Sequence, residues 1–236
     1  MASQFCFMPD PRRQAHPERV TIDVWDIATA TEADWAVLSP EERTRAAAFV
    51  HERHRIHYVA AHGGMRRRLG VVVGCAPGAL AFETGPNGKP HFAGAGALPF
   101  NLSHTQTRAA LACGQNVEVG VDIERVGSFD DALARRVLTE QERAVLSALP
   151  LAMQARQFFR FWTAKEAVLK ALGVGLEIEP ATMNLPILGE AQTWMIAVAG
   201  RDVVVVSYPC GADYVGAAAA LAPEINIIVS GSDAGA

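Results

Sequence analysis

Cysteine is scarce in this 236-residue chain: four are present, at positions 6, 75, 113 and 210, and no two are closer than 38 residues. That spacing excludes a local CxxC redox pair and a zinc knuckle. Dispersed thiols suit a reducing cytoplasm. Excess charge of one sign is also lacking, with 21 Lys and Arg against 25 Asp and Glu and a net charge of −4. Nucleic acid is therefore not expected as the main partner. The longest apolar runs, such as 215–222, fall far short of the roughly 20 residues needed to cross a bilayer. The first 20 residues, MASQFCFMPDPRRQAHPERV, lack the basic start and apolar stretch of a signal peptide, so neither export nor membrane attachment is expected. What remains is the composition of an ordinary folded protein, half hydrophobic and 19% charged. The length allows one large domain or two small ones, with a sizeable core.

An internal similarity organises the chain. Leu38-Ser39-Pro40-Glu41-Glu42-Arg43 matches Leu138-Thr139-Glu140-Gln141-Glu142-Arg143 at an offset of 100 residues. In each, a hydroxyl residue is followed three positions later by Glu, the pattern in which side chain and backbone cap each other at a helix start. Pro40 suits the first helical position. Capping boxes are common enough to align by chance, but a second helix is predicted to end alike in both copies, at Arg68-Leu69-Gly70 and Ala171-Leu172-Gly173. Two similar halves follow, 1–116 and 117–236. Val- and Ile-rich strands are predicted over 19–27, 109–113, 117–123 and 202–208. The small polar stretch 230–236 is expected to fray.

Alternation along 117–124 sets Asp122 and Glu124 on one strand face and Val121 and Ile123 on the other. Alternating acids can be a wet face. They can also hold a hard divalent cation, and oxygen donors without His or Cys favour Mg2+, which brings phosphate and water as its other ligands. In FFRFWTAKEAVLKALG, Glu166 and Lys170 lie four apart on one helix face. A surface ion pair is the plain reading, but the surrounding Phe158, Phe159, Phe161, Trp162, Val168, Leu169 and Leu172 leave little of this helix for solvent. Lys165 points a quarter turn away and suits either surface or site. Arg66-Arg67-Arg68 reads as a solvated face.

Upstream, Gly85-Pro86-Asn87-Gly88-Lys89-Pro90 is a turn bearing one lysine. Phe100-Asn101-Leu102-Ser103-His104 follows. Adjacent residues on an extended chain point apart, so Ser103 and His104 cannot form a nucleophile and base pair, and no GxSxG elbow exists. They suit a phosphate or ribose contact, or else capping and core hydrogen bonds.

Gly88-Lys89-Pro90, then Phe100-Asn101-Leu102-Ser103-His104, then Gly120-Val121-Asp122-Ile123-Glu124, then Trp162-Thr163-Ala164-Lys165-Glu166-Ala167-Val168-Leu169-Lys170, in this order and spacing, resemble the 4'-phosphopantetheinyl transferases of the large, surfactin-synthetase-activating type. The resemblance implies an α+β fold of two similar halves related by a pseudo-two-fold, with coenzyme A and Mg2+, or Mn2+ in its place, bound between them. It implies transfer of the phosphopantetheine arm of coenzyme A to a serine of an acyl or peptidyl carrier protein; the dispersed thiols point to the cytoplasm, and a chain that already contains two similar halves is expected to be a monomer. By the same resemblance, Asp122, Glu124 and Glu166 are metal ligands and Lys170 is the lysine near the pyrophosphate; the chemistry of the groups then makes Glu166 and Lys170 the catalytic candidates, as base and acid. Arg45, Arg55, Gly88, Lys89, Pro90, Asn101, Ser103, His104 and Lys170 contact the coenzyme.

The first half departs from the family pattern. Glu42 stands where some members have a basic residue, His54-Arg55-Ile56-His57 replaces a D-R-x-R pattern, and His62 stands where arginine is frequent. A coenzyme 3'-phosphate held by His57 would bind more weakly as pH rises through the histidine's titration. Arg135, Arg136 and Arg160 could steer an acidic carrier by charge. Two other functions fit the same residues: a non-catalytic coenzyme A-binding module, and a metal-dependent phosphohydrolase.

Overall fold

The computed structural model describes residues 19–94, 98–175, 177–186 and 192–231. The signal-peptide reading of the N-terminus, residue Cys6 and the tail from 232 lie outside the described residues. The first half runs β1 (Arg19–Asp26), α1 (Glu32–Val37), α2 (Pro40–Ala47), α3 (Glu52–Val73), a 3-10 turn (Pro77–Ala79), β2 (Phe82–Thr84), β3 (Pro90–Phe92), β4 (Phe100–Thr105) and β5 (Arg108–Gln115). The second runs β6 (Val119–Arg125), α4 (Asp131–Val137), α5 (Glu140–Ala148), α6 (Leu151–Leu172), a 3-10 turn (Pro180–Thr182), β7 (Thr193–Val198), β8 (Arg201–Tyr208), β9 (Tyr214–Ala220) and β10 (Asn226–Gly231). This is an α+β fold, and the order strand, two short helices, 22-residue helix, 3-10 turn occurs twice.

Period-two alternation in the strands builds four layers. One sheet has the order β10-β1-β5-β4 and the other β6-β9-β8-β7, with β2 and β3 forming a separate two-stranded ribbon. Between the sheets, Val20, Ile22, Ala110 and Ala112 meet Val119, Val121, Ile123, Ala218 and Ala220. On the outer face of the first sheet, Trp25, Ala109 and Leu111 receive Ala60, Ala61, Met65 and Leu69 of α3. On the outer face of the second, Val203, Val205, Ala217 and Ala219 receive Phe161, Ala164, Val168 and Ala171 of α6.

Both predicted capping boxes form, with Ser39 and Thr139 each accepting from the backbone N–H three residues on and receiving Glu42 and Glu142 in return. The same glutamates then take a buried cation from the long helix. Arg66 Nε donates to Glu42 Oε2 at 2.6 Å and its Nη1 to the carbonyls of Pro77 and Leu80, while Lys165 Nζ donates to Glu142 and to the carbonyls of Val137 and Pro180. Each cation thus ties a capping box to the 3-10 turn beyond its own helix.

Three expectations are corrected. The first long helix does not end at Gly70 but runs to Val73, with Gly74 (φ +67°) as the left-handed cap. Gly70 is small for a different reason: a Cβ there would lie 2.7 Å from the Cys75 carbonyl, where the chain folds back onto the helix. Arg66–Arg68 is not a solvated face, since Arg66 is buried, Arg67 pairs with Asp34 and Arg68 lies 4.0 Å over the Trp25 ring. Ser230 and Gly231 do not fray. They end β10, which pairs in parallel with β1, so the C-terminal strand completes the sheet of the first half.

Candidate active site

Strand β6 and helix α6 make the floor of the site, and their close approach begins with a glycine. A Cβ on Gly120 would lie 2.1 Å from the Ala167 carbonyl and 2.4 Å from the Ala171 nitrogen. The helix therefore presses directly on the strand face that carries Asp122 and Glu124, which is no wet face: Asp122 is 4% exposed. Glu166 and Lys170, one turn apart on α6, reach the same place. Lys170 Nζ donates to Asp122 Oδ1 at 2.6 Å and to the Val121 carbonyl at 3.3 Å.

Edge strand β4 lies beside β6 and meets it through side chains. Val121 N donates to Asn101 Oδ1 at 2.9 Å, Ser103 Oγ to Asp122 Oδ1 at 2.8 Å, and Thr105 Oγ1 to Glu124 Oε2 at 3.0 Å. Alternate residues of one strand thus supply three successive rungs. From behind, the buried Tyr208 hydroxyl donates to the Asp122 carbonyl at 2.9 Å.

The electrostatics are those of crowded carboxylates. Desolvation, with the nearby Asp122 charge, pushes the Glu124 carboxyl up to about 7, and Glu166 is raised by the same two causes in the same order. Asp122 Oδ2 is buried and has no hydrogen-bond partner among the described residues. A buried carboxylate oxygen in that state is a place for a cation. As the side chains stand, no group of three or more His, Cys, Asp or Glu converges closely enough to hold a metal ion among the described residues. The oxygen-only donors and the orphaned Oδ2 nevertheless fit a hard divalent cation.

Beside the carboxylates opens a cleft of about 330 Å3, lined among others by Gly88, Lys89, Pro90, Asn101, Glu166 and Lys170. Gly88 takes φ +81° at the turn that aims Lys89 inward. Lys89 Nζ donates to the Val119 carbonyl at 2.9 Å and to Glu118 at 3.0 Å, while Asn87 donates to the Gly173 carbonyl and ties the turn to the end of α6. Segments far apart in sequence therefore meet at one opening.

His104 follows Ser103 on β4 and points the other way. Solvent reaches its ring, yet protein encloses most of it, and this desolvation, with His62, His57 and Lys170 nearby, lowers its pKa to about 4. Arg45 and Arg55 do not line the cleft. Arg45 sits 5.8 Å over Tyr58, which stacks on His62 at 4.0 Å, and Arg55 pairs with Glu52. Glu42 serves the capping box and Arg66, and its Oε1 is 3.5 Å from His62. Of the steering arginines, Arg135 is exposed and pairs with Asp131, Arg136 is exposed, and Arg160 lines a separate cavity of about 430 Å3 with Arg156 and the β8–β9 connection.

Comparison with known proteins agrees with the order of motifs on this floor. Residues 118–197, which include Asp122, Glu124, Glu166 and Lys170, match the model of the 4'-phosphopantetheinyl transferase superfamily. Over those residues, about a third of the chain, the protein is similar to that superfamily. Among proteins bearing the same name, HetI of Nostoc sp. is 39% identical over 147 residues, 60% of this chain and 62% of that protein. The 4'-phosphopantetheinyl transferase psf-1 of Bacillus pumilus is 36% identical over 97 residues, 41% of each chain, and AcpT of Salmonella typhimurium is 40% identical over 91 residues, 38% of this chain and 47% of that protein. The matched region thus spans about three fifths of HetI and less of the others. Among the described residues no helix is long and apolar enough to cross a membrane.

Thr105, Tyr208 and Glu118 were not singled out by the superfamily motifs. Thr105 had a signal, because Asn101, Ser103 and Thr105 alternate along one strand; Tyr208 had none, since its partner is 86 residues away.

Proposed function

We propose that the protein transfers the 4'-phosphopantetheine arm of coenzyme A to a serine of an acyl or peptidyl carrier protein, releasing adenosine 3',5'-bisphosphate. The observation that carries this reading is the single cleft on which Lys89, Pro90, Asn101, Glu166 and Lys170 converge, with Asp122 and Ser103 bonded to the same lysine. The repeated element order supports two halves, 1–116 and 117–236, related by a pseudo-two-fold, as in the surfactin-synthetase-activating type. We read it as a cytoplasmic monomer.

Asp122, Glu124 and Glu166 would hold Mg2+, or Mn2+; the orphaned Asp122 Oδ2 and the mutual repulsion of the three acids support this. When bound, the ion neutralises charge on the pyrophosphate of the coenzyme. The protein's own groups do the rest by position and charge. Lys89, Pro90, Ser103 and His104 would hold the nucleotide end, and Arg45, which lies over Tyr58 outside the cleft lining, would meet the 3'-phosphate. The serine oxygen of the carrier bonds to the phosphorus on the pantetheine side as that phosphorus loses its bridging oxygen. Glu166, whose carboxylate is made more basic by burial and by the nearby Asp122 charge, takes the serine proton. Lys170 gives a proton to the departing phosphate.

The test is intact-mass spectrometry of apo carrier proteins incubated with the protein, coenzyme A and Mg2+, beside a chelator control. A metal-dependent gain of one phosphopantetheine is expected. Coenzyme binding without transfer across unrelated carriers would leave a binding module, and release of adenosine bisphosphate without any carrier would leave a phosphohydrolase.

A further inference from the structure

Thr105 closes β4 immediately before a tight turn, and the turn is held on both sides. Gln106 takes a positive φ of 46°, Ile27 N donates to the Thr107 carbonyl at 2.8 Å, and Thr107 Oγ1 lies 3.0 Å from the Tyr214 hydroxyl. The hairpin tip is thereby pinned to the start of the first connection after β1 and to the start of β9. Thr105 Oγ1 then points at Glu124 Oε2 from a fixed base, as Ser103 does two residues earlier for Asp122. The match is one hydroxyl to one carboxylate, along two edge strands from different sheets. Asp122 has three further supports, Lys170 on its carboxylate, Tyr208 on its carbonyl and the Asn101 bond to the preceding residue's nitrogen. For the Glu124 carboxylate, Thr105 is the hydrogen-bond donor found among the described residues.

We propose that Thr105 is a positioning residue: its hydroxyl holds the Glu124 carboxylate in place beside the Asp122 floor, so that one donor is already fixed when a divalent cation draws Asp122, Glu124 and Glu166 together. This rests on reading those carboxylates as the cation site. Groups that orient ligands through a second hydrogen bond typically change metal affinity by about 10- to 100-fold when removed. A threonine serves better than a longer polar residue because its branched Cβ leaves few rotamers, which keeps the hydroxyl aimed.

The experiment compares wild type, Thr105→Val and Thr105→Ser. Mn2+ binding is read by electron paramagnetic resonance with coenzyme A present, and the Mg2+ concentration for half-maximal transfer is read with an apo carrier. Thr105→Val, nearly the same shape without the hydroxyl, is expected to weaken Mn2+ binding and raise the half-maximal Mg2+ by about tenfold. Its melting temperature should stay within a few degrees of wild type, because one part-buried hydrogen bond contributes modestly. Thr105→Ser keeps the hydroxyl and should recover most of the loss, which a mere packing role would not predict. Unchanged Mn2+ affinity in Thr105→Val overturns the assignment, as does a serine variant no better than valine or a wild type that binds no Mn2+. A wild type whose Mn2+ affinity depends on this hydroxyl and which transfers nothing retires the transferase reading instead, and the positioning role stands on affinity alone.

Discussion

Lys170 donates from Nζ to Oδ1 of Asp122 at 2.6 Å, joining the last turn of α6 to the middle of β6. The pair is unequal: Asp122 is buried and its lysine is partly open to the cleft. An acid held this way keeps one oxygen on the lysine and leaves Oδ2 over, beside Glu124 and Glu166. The lysine thus both supports a buried acid and lines the cleft.

Those tasks separate in a variant. Lys170→Met should cost about 2 kcal/mol of stability, less than breaking a fully buried pair because the lysine is partly exposed. It should also lower transfer about a hundredfold, the scale of losing one charge-stabilising group. Thermal melts and carrier turnover measured on the same preparation check both. Normal turnover in the folded variant would remove Lys170 from the chemistry.

Glu166→Gln keeps the shape of the side chain and loses its charge and its basicity. Coenzyme A binding should survive within a few-fold, while transfer to carrier falls below detection. Calorimetry of coenzyme binding beside intact-mass turnover checks the split. Turnover at the wild-type rate would exclude Glu166 as proton acceptor.

Gly120 is the position where the site depends on an absent side chain. With Cβ contacts of 2.1 and 2.4 Å against α6 backbone, Gly120→Ala must push the helix off the strand. Backbone cannot yield as a flexible side chain does, so a loss of about 3 kcal/mol or more is expected. Denaturant midpoints measure it, and turnover should fall with it because Glu166 and Lys170 ride on the displaced helix.

Much of this arrangement was legible beforehand, and the reasons differ by residue. The capping boxes at Ser39 and Thr139 are local, so three-residue spacing sufficed. The two-residue alternation of Asp122 and Glu124 and the four-residue step from Glu166 to Lys170 likewise specify faces. Gly70 misled because glycine serves both helix ends and close packing, and only the fold shows the Cys75 carbonyl against it. The three arginines 66–68 misled because a charge run reads as wet unless its partners are known, and Glu42 and Asp34 lie 24 and 33 residues away. Thr105 shares the alternation of Asn101 and Ser103, but finding Glu124 opposite it takes the register of β4 against β6 of the other sheet, and finding Asp122 beside Tyr208 takes the strand order β6-β9-β8 within one sheet.

Acid stability probes the first-half cap. Burial alone would raise the Glu42 carboxyl, but the neighbouring His62 at 3.5 Å and the hydrogen bonds from the Ser39 backbone and Arg66 outweigh it and hold the pKa at about 2. A depressed carboxyl contributes stability above its unfolded pKa of 4.5 that is lost as pH falls toward 2. Glu42→Gln leaves Arg66 buried without its anion and should cost about 3 kcal/mol at pH 7. The difference in melting temperature from wild type should shrink between pH 4.5 and pH 3. A difference independent of pH would mean that shape, not charge, is what Glu42 supplies.

Coenzyme binding should itself take up protons. His104 has its pKa lowered to about 4, first by desolvation and then by His62, His57 and Lys170 nearby, so the ring is neutral at pH 6 in the unliganded protein. A phosphate placed beside it reverses the dominant charge and raises that pKa. Binding then strengthens as pH falls from the raised value toward 4, and below 4, where the ring is already charged, the dependence levels off. Calorimetry at pH 6 in two buffers of different ionisation enthalpy measures the uptake directly, and a fraction of a proton per coenzyme is expected. His104→Ala should remove it. His57, lowered first by desolvation and then by His54 and Arg53, is the control, and His57→Ala should leave most of the uptake in place if the phosphate sits on the β4 side. Equal heats in both buffers for wild type would take His104 out of phosphate contact.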